Sequence, residues 1–217
     1  MALKIILADD HVVVRDGLRL ILEADRGMTV VGEVADGRAA VRMVKKLLPD
    51  VVLMDIAMPE LNGIDATMQI REQCPSTQIV VLSMHGTAEH IHRALQAGAR
   101  GYLLKESAGK EVVTAIRAVH GGRRYLSERI ADTVVDDFLG QPAALPEKNP
   151  LERLSSRERE VLQLVVEGKS SADIAASIYL SPKTVATYRS RIKKKLNLHD
   201  LASLVRFAIE HGLTPSE

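Results

Sequence analysis

A repeated alternation in the first 120 residues limits most strongly how this chain can fold. Five short aliphatic runs are present: KIILA (4–8), MTVVGEV (28–34), VVLM (51–54), QIVVLS (78–83) and GYLL (101–104). Amphipathic segments near 12–25, 37–48, 64–73, 87–97 and 108–120 follow them in turn. Runs that are apolar on successive positions, rather than alternate ones, suit strands covered on both faces. Strands alternating with helix-length segments make a parallel sheet with helices on either side and right-handed crossovers. A flavodoxin-like (βα)5 layout is the simplest closure.

Strand direction turns that layout into chemistry. In a parallel sheet the C-terminal ends of all strands share one edge, where ligands bind. The residues at those ends are Asp9 and Asp10, Asp55, Ser83 and Lys105. Three close carboxylates repel one another unless a cation or a raised pKa relieves them. An all-oxygen donor set favours a hard ion, most simply Mg2+. The stretch VVLMDIAMPELNG (51–63) ends an apolar run on a carboxylate and breaks into a loop. Asp55 is badly placed there for packing but well placed to take a phosphoryl group as a nucleophile. Asp9 and Asp10 would hold the metal, and Ser83 and Lys105 the phosphoryl oxygens. Singly these residues have plainer readings, with Asp10 as a helix cap and Asp55 opening an Asx turn. Their convergence at four strand ends favours the chemical one. His11 and His85 lie beside this set and are expected to be half-buried packing residues.

Beyond residue 120 the pattern changes. An amphipathic stretch at 127–139 can form a helix, and GQPAALPEKNP (140–150), with three prolines, reads as a linker. Residues 151–212 look helical throughout. SSRE (155–158) is a capping box, Gly168 closes that helix, and a short helix at about 171–178 follows. Ser181-Pro182 opens a helix that runs to about Leu196, and a last one spans roughly 200–211. The expected domains are therefore 1–122, a linker 123–150, and 151–217.

Charge separates along the same line. Residues 1–140 carry 17 Lys+Arg against 19 Asp+Glu, and residues 150–217 carry 11 against 8. From Lys183 to Leu196 there are six Lys/Arg and no acid. At about 100° per residue, Val185, Tyr188, Ile192 and Leu196 form an apolar stripe. Lys183, Thr187, Ser190 and Lys194 fall opposite, flanked by Ala186 and Arg191. Small polar and basic side chains on one face can enter a major groove and meet phosphates. With the short helix and tight turn before it, the segment reads as a helix-turn-helix. Glu158 and Glu160 are expected to be surface charges. The single cysteine, Cys74, rules out an internal disulfide and suits a reducing compartment. There is no run of 18 apolar residues and no signal-peptide pattern, so a cytoplasmic location is expected.

ADDH (8–11), LMDIAMPELNG (53–63), VLSMH (81–85) and GYLLKE (101–106) resemble the receiver domain of two-component response regulators. The stretch from LSSRERE through KKKL (154–196) resembles the LuxR-type helix-turn-helix, a four-helix domain. Together they resemble the NarL/FixJ family. That resemblance implies phosphorylation of Asp55 by a sensor histidine kinase, and a metal site of Asp9, Asp10, Asp55 and Ala57. It pairs Ser83 with Tyr102 as a switch. It also implies that Lys183, Ala186, Thr187 and Ser190 face bases, while Thr184, Lys193 and Lys194 face the DNA backbone. Promoter DNA, RNA polymerase and a second copy of the chain are the implied partners, with self-phosphorylation and slow autodephosphorylation as the only catalysis. SSAD (170–173) stands where Asn-Lys-Glu is commoner, which puts a backbone contact there in doubt. A haloacid-dehalogenase-like phosphatase is disfavoured, because Ala57 stands where that class has a second acid. An RNA-binding or scaffolding output is the other rival.

Overall fold

The computed structural model describes residues 2–140, 150–198 and 200–214. Of the expected linker, residues 141–149 lie outside the described residues. The chain divides into two compact units, Met1–Pro142 and Ala143–Glu217.

In the first unit each aliphatic run is a strand: β1 (Leu3–Ala8), β2 (Met28–Val34), β3 (Val51–Asp55), β4 (Gln78–Ser83) and β5 (Gly101–Leu104). The helices between and after them are α1 (Val12–Glu23), α2 (Gly37–Leu47), α3 (Gly63–Gln73), α4 (Ala88–Gln96) and α5 (Lys105–His120). A short strand β6 (Tyr125–Leu126) and helix α6 (Glu128–Gly140) follow. Among the described residues the strands make one parallel sheet in the order β2-β1-β3-β4-β5-β6. Both faces are covered because side chains alternate across each strand. Val52 and Met54 point into a core shared with α2, α3 and α4, while Val51 and Leu53 point into one shared with α1 and α5. β6 is the element with no warning in the sequence, since two residues carry no period. The unit runs past residue 122 because β6 extends the sheet and Ile130 of α6 is fully buried in its core.

Register decides which side chains meet. Ala8 pairs with Met54, Asp55 with Leu82, and Ser83 with Leu104. Asp9, one step beyond β1, therefore stands beside Asp55, the last residue of β3, while Ser83 ends β4 and Lys105 follows β5. The strand order also reverses between β1 and β3, the place where such sheets bind ligands. The Met-Pro and Asn-Gly loop returns tightly to this edge. Asn62 caps α3 by accepting from the Asp65 amide at 2.9 Å. Gly63 donates to the Ile56 carbonyl at 2.8 Å. A Cβ on Gly63 would sit 1.8 Å from the Asp55 carbonyl oxygen, so only glycine lets the loop close here.

The second unit holds a 3-10 turn (Pro150–Arg153) and helices α7 (Ser156–Val166), α8 (Ser171–Ser177), α9 (Pro182–Leu196) and α10 (Leu201–Glu210). The capping box at Ser155 and Glu158 forms as the sequence predicts. A second one forms at Ser170 and Asp173. Leu151, Leu154, Val161, Leu164, Ile174, Val185 and Ile192 lie in one core, with Tyr188 and Leu196 half-buried against it. Burying a Val or Ile side chain contributes roughly 1.5–3 kcal/mol, so this stripe holds α9 in place.

Two expectations are corrected here. Glu158 and Glu160 are buried, not surface charges. Glu158 bonds the Ser155 amide and Lys195 Nζ, at 2.8 and 2.7 Å, and its carboxyl lies below the usual range. Burial opposes that shift; the Lys195 and Ser155 bonds outweigh it. Glu160 pairs with Arg157, which also donates to the Ile178 carbonyl. The histidines are also more exposed than expected, with His11 61% exposed at the side chain and His85 exposed in its loop.

Candidate functional site

The sheet edge gathers the acids and the lysine. Asp9, Asp55 and Ser83 are buried, and Asp10 is partly so. Lys105, the first residue of α5, donates from Nζ to Asp55 Oδ2 at 2.8 Å. The same ammonium lies 2.8 Å from Asp9 Oδ2, an ion pair without hydrogen-bond alignment. One cation thus serves two buried carboxylates. Burial and the Asp9 charge push the Asp55 carboxyl up to about 6, against the pull of Lys105. Burial pulls Lys105 down, but Asp55 and Asp9 more than offset it and hold the ammonium above its usual range.

The donor set tests for a metal. Asp9, Asp10, His11 and Asp55 bring ligand atoms within 4.8 Å of one another. Asp9 Oδ2 and Asp10 Oδ1 are buried and accept no hydrogen bond. Lys105 brings one positive charge to an edge that holds three carboxylates, and close carboxylates repel unless a further cation relieves them, so the residues fit a divalent ion. Ala57 is half-buried in the following loop and has only a backbone carbonyl to offer.

Ser83 and Tyr102 are tied through one residue. The His85 amide donates to Ser83 Oγ at 3.0 Å, and the Tyr102 hydroxyl donates to the His85 carbonyl at 2.7 Å. Tyr102 is fully buried in the core rather than at an edge, because β6 flanks β5. Burial pushes its phenol up to about 12. The Ser127 amide donates to the Tyr102 carbonyl at 3.1 Å, just ahead of α6. A cavity of about 290 Å3 beside Ser83 and Lys105 is lined on its far side by Arg129, Ile130 and Thr133 of α6.

The basic helix presents the face its period predicts. Lys183, Ala186, Thr187, Ser190, Arg191 and Lys194 are exposed. Ser181 caps α9, accepting from the Thr184 amide at 3.1 Å, and its hydroxyl lies 2.8 Å from Thr184 Oγ1. Lys193 is half-buried on the flank. Two cations of the run do other work. Arg189 donates to Ser171 Oγ at 3.1 Å, bracing α8 against α9, and Lys195 meets Glu158. Ser171 is therefore a packing partner within the helix-turn-helix. The connection between α8 and α9 (178–181) is one residue longer than expected, with Tyr179 at φ +55° and 95% exposed. No helix among the described residues is long and apolar enough to cross a membrane.

Comparison with known proteins finds matches to both units. Residues 5–117 match the family model of the response regulator receiver domain, and residues 152–208 that of the luxR family of bacterial regulatory proteins. The chain is similar to the uncharacterized transcriptional regulatory protein YhcZ of Bacillus subtilis (strain 168), 41% identical over 97% of each chain. It is 39% identical to the response regulator UvrY of Escherichia coli (strain K12), over 99% of this chain and 97% of that one. A solved structure of the two-component response regulator RcsB in complex with DNA is also similar. It is 26% identical, with a TM-score of 0.59, over 97% of this chain and 99% of that one.

Proposed function

This chain belongs to the response regulators that join a receiver domain to a LuxR-type DNA-binding domain, the NarL/FixJ family, and from that premise we propose that phosphorylation of Asp55 controls how α9 binds promoter DNA. The contact that carries the proposal is Lys105 Nζ at 2.8 Å from both Asp55 and Asp9.

In the proposed transfer an Asp55 oxygen attacks the phosphorus of a phosphohistidine on a sensor kinase. The P–N bond breaks, and its electron pair leaves with the imidazole. Lys105 holds the nucleophile in place and then pairs with a phosphoryl oxygen. Asp9, Asp10 and Asp55, with the Ala57 carbonyl, would hold Mg2+, which supplies positive charge against the phosphoryl oxygens when bound. Ser83 Oγ turns to donate to the phosphoryl group and lets go of the His85 amide. Tyr102, bonded to the His85 carbonyl, is then pulled or freed with that loop. A Cβ on Gly86 would lie 3.1 Å from Ile130 Cδ1, so the moving loop lies directly under α6. Both α5 and α6 are thus placed to carry the change toward the linker.

On the output side, Lys183, Ala186, Thr187 and Ser190 would meet base edges, and Thr184, Arg191, Lys193 and Lys194 the phosphates. That an RcsB relative is known in complex with DNA supports this. A single small helix-turn-helix binds weakly, so phosphorylated dimers would read two half-sites and recruit RNA polymerase. The protein would act in the cytoplasm, and its chemistry would stop at Asp55 self-phosphorylation and slow dephosphorylation. The functional regions would be a receiver over 1–122, a connecting segment over 123–150 that includes α6, and a DNA-binding domain over 151–217.

Intact mass with Mg2+ and an acyl phosphate donor tests the first half, and DNA binding by the product the second. Wild type should gain one phosphoryl group and Asp55→Asn none, and the phosphorylated form should bind target DNA more tightly, as a dimer. A phosphoryl group on Asp55→Asn, or equal binding by both forms as monomers, would overturn it.

A further inference from the structure

His11 stands at the N-cap of α1 but makes no capping bond with its side chain. Its imidazole turns to the acids instead, with Nδ1 2.7 Å from Asp10 Oδ1 and 3.1 Å from Asp9 Oδ1. Its own amide donates to Asp9 Oδ1 at 2.9 Å, which fixes the residue against the cluster. Nδ1 is therefore one of four donor atoms lying within 4.8 Å of each other, beside buried acid oxygens that accept no hydrogen bond. The first turn of α1 carries no acid that would compete for it.

We propose that His11 Nδ1 is a ligand for a divalent d-block ion such as Co2+, Ni2+ or Zn2+ at this edge, so that the site holds such ions more tightly than Mg2+. The inference rests on the metal reading of the acidic edge given above. A nitrogen donor adds little for Mg2+, which prefers oxygen and keeps several waters. Borderline ions take imidazole readily, and their affinities rise along the first-row series. The ion would occupy Asp9, Asp10 and Asp55, the groups Mg2+ needs, so the two metals would compete. Phosphorylation would then respond to the balance between them.

The test uses the full chain. Co2+ is titrated by its visible absorption and Mg2+ by calorimetry, for wild type, His11→Ala and Asp10→Asn. His11→Ala should weaken Co2+ by roughly tenfold or more, the scale on which a metal-site partner counts. It should move Mg2+ by less than about twofold, since magnesium's ligands are oxygens. Asp10→Asn should weaken both. Unchanged Co2+ affinity in His11→Ala overturns the proposal. So does equal weakening of both metals, which would make His11 only a positioning residue for the aspartates. Full-strength Co2+ binding by Asp10→Asn would put the ion at another histidine, and the proposal falls. If wild type binds Co2+ through His11 but no Mg2+, the Mg2+ reading fails while this one stands.

Discussion

The acidic sheet edge and the basic face of α9 put charge to opposite uses. At the edge, two buried carboxylates share one ammonium, and Asp55 is held above its normal ionisation range. On α9 the cations Lys183, Arg191 and Lys194 are exposed, and the helix rests on an apolar stripe and a capped first turn. The first region stores electrostatic cost that a cation can relieve. The second stores none and simply waits for a polyanion. Lysine is stabilising in one and near-neutral to the fold in the other, so the same substitution should part them cleanly.

Lys105→Ala should have the largest effect. Removing one partner of a buried ion pair costs roughly 3–5 kcal/mol, with the low end expected here because Asp55 can take up a proton. Urea unfolding without metal should show the loss, and Mg2+ should restore part of it. A cost under about 1 kcal/mol, the range of surface pairs, would mean that the edge behaves as surface.

Asp55→Asn should shift stability the other way. The folded state keeps a proton on Asp55 up to about pH 6, while the unfolded chain releases it near 3.8. Folding stability from this group is therefore full below the unfolded value and falls as pH rises through about 6. In metal-free protein the variant should be more stable than wild type by up to about 3 kcal/mol at neutral pH, and by little at pH 4. A gap that does not grow with pH would sink the claim of a destabilised acid.

Lys194→Ala, at an exposed lysine proposed to meet phosphate, is the matched change on the basic face. Surface substitutions stay within about 0.5 kcal/mol, so unfolding should not move. The salt dependence of DNA binding should lose about one unit of slope. A stability loss like that of Lys105→Ala would erase the contrast between the two regions.

The smallest effect concerns the turn before α9. Tyr179 is left-handed and solvated, with no packing to offset its backbone. Tyr179→Asn should stabilise the second unit by roughly 0.5–1 kcal/mol, since Asn tolerates this conformation better. Thermal unfolding checks it, and a destabilised variant would point to a contact made by the ring.

The two regions also differ in how openly the sequence declares them. Five strands were legible because fully covered strands are written as unbroken aliphatic runs. The exposed face of α9 was legible because helical period is local: Val185 and Ile192 turn inward, and Lys183, Thr187 and Ser190 must then turn outward. Asp9, Asp10, Asp55, Ser83 and Lys105 could be brought to one edge from strand direction alone. What each charge touches was decided by tertiary structure. Lys195 and Arg189 look like their neighbours in sequence but are bound to Glu158 and Ser171 on other helices. Glu160 looks like surface and is buried against Arg157. His11 becomes a member of the acid cluster only when Ala8 pairs with Met54. β6 and the burial of Ile130 exist because a sheet edge was open to receive them. Periodicity is a property of neighbours along the chain, so the sequence alone specified elements and faces. Charge pairing depends on which elements cross and in what register, and only the folded chain supplies that.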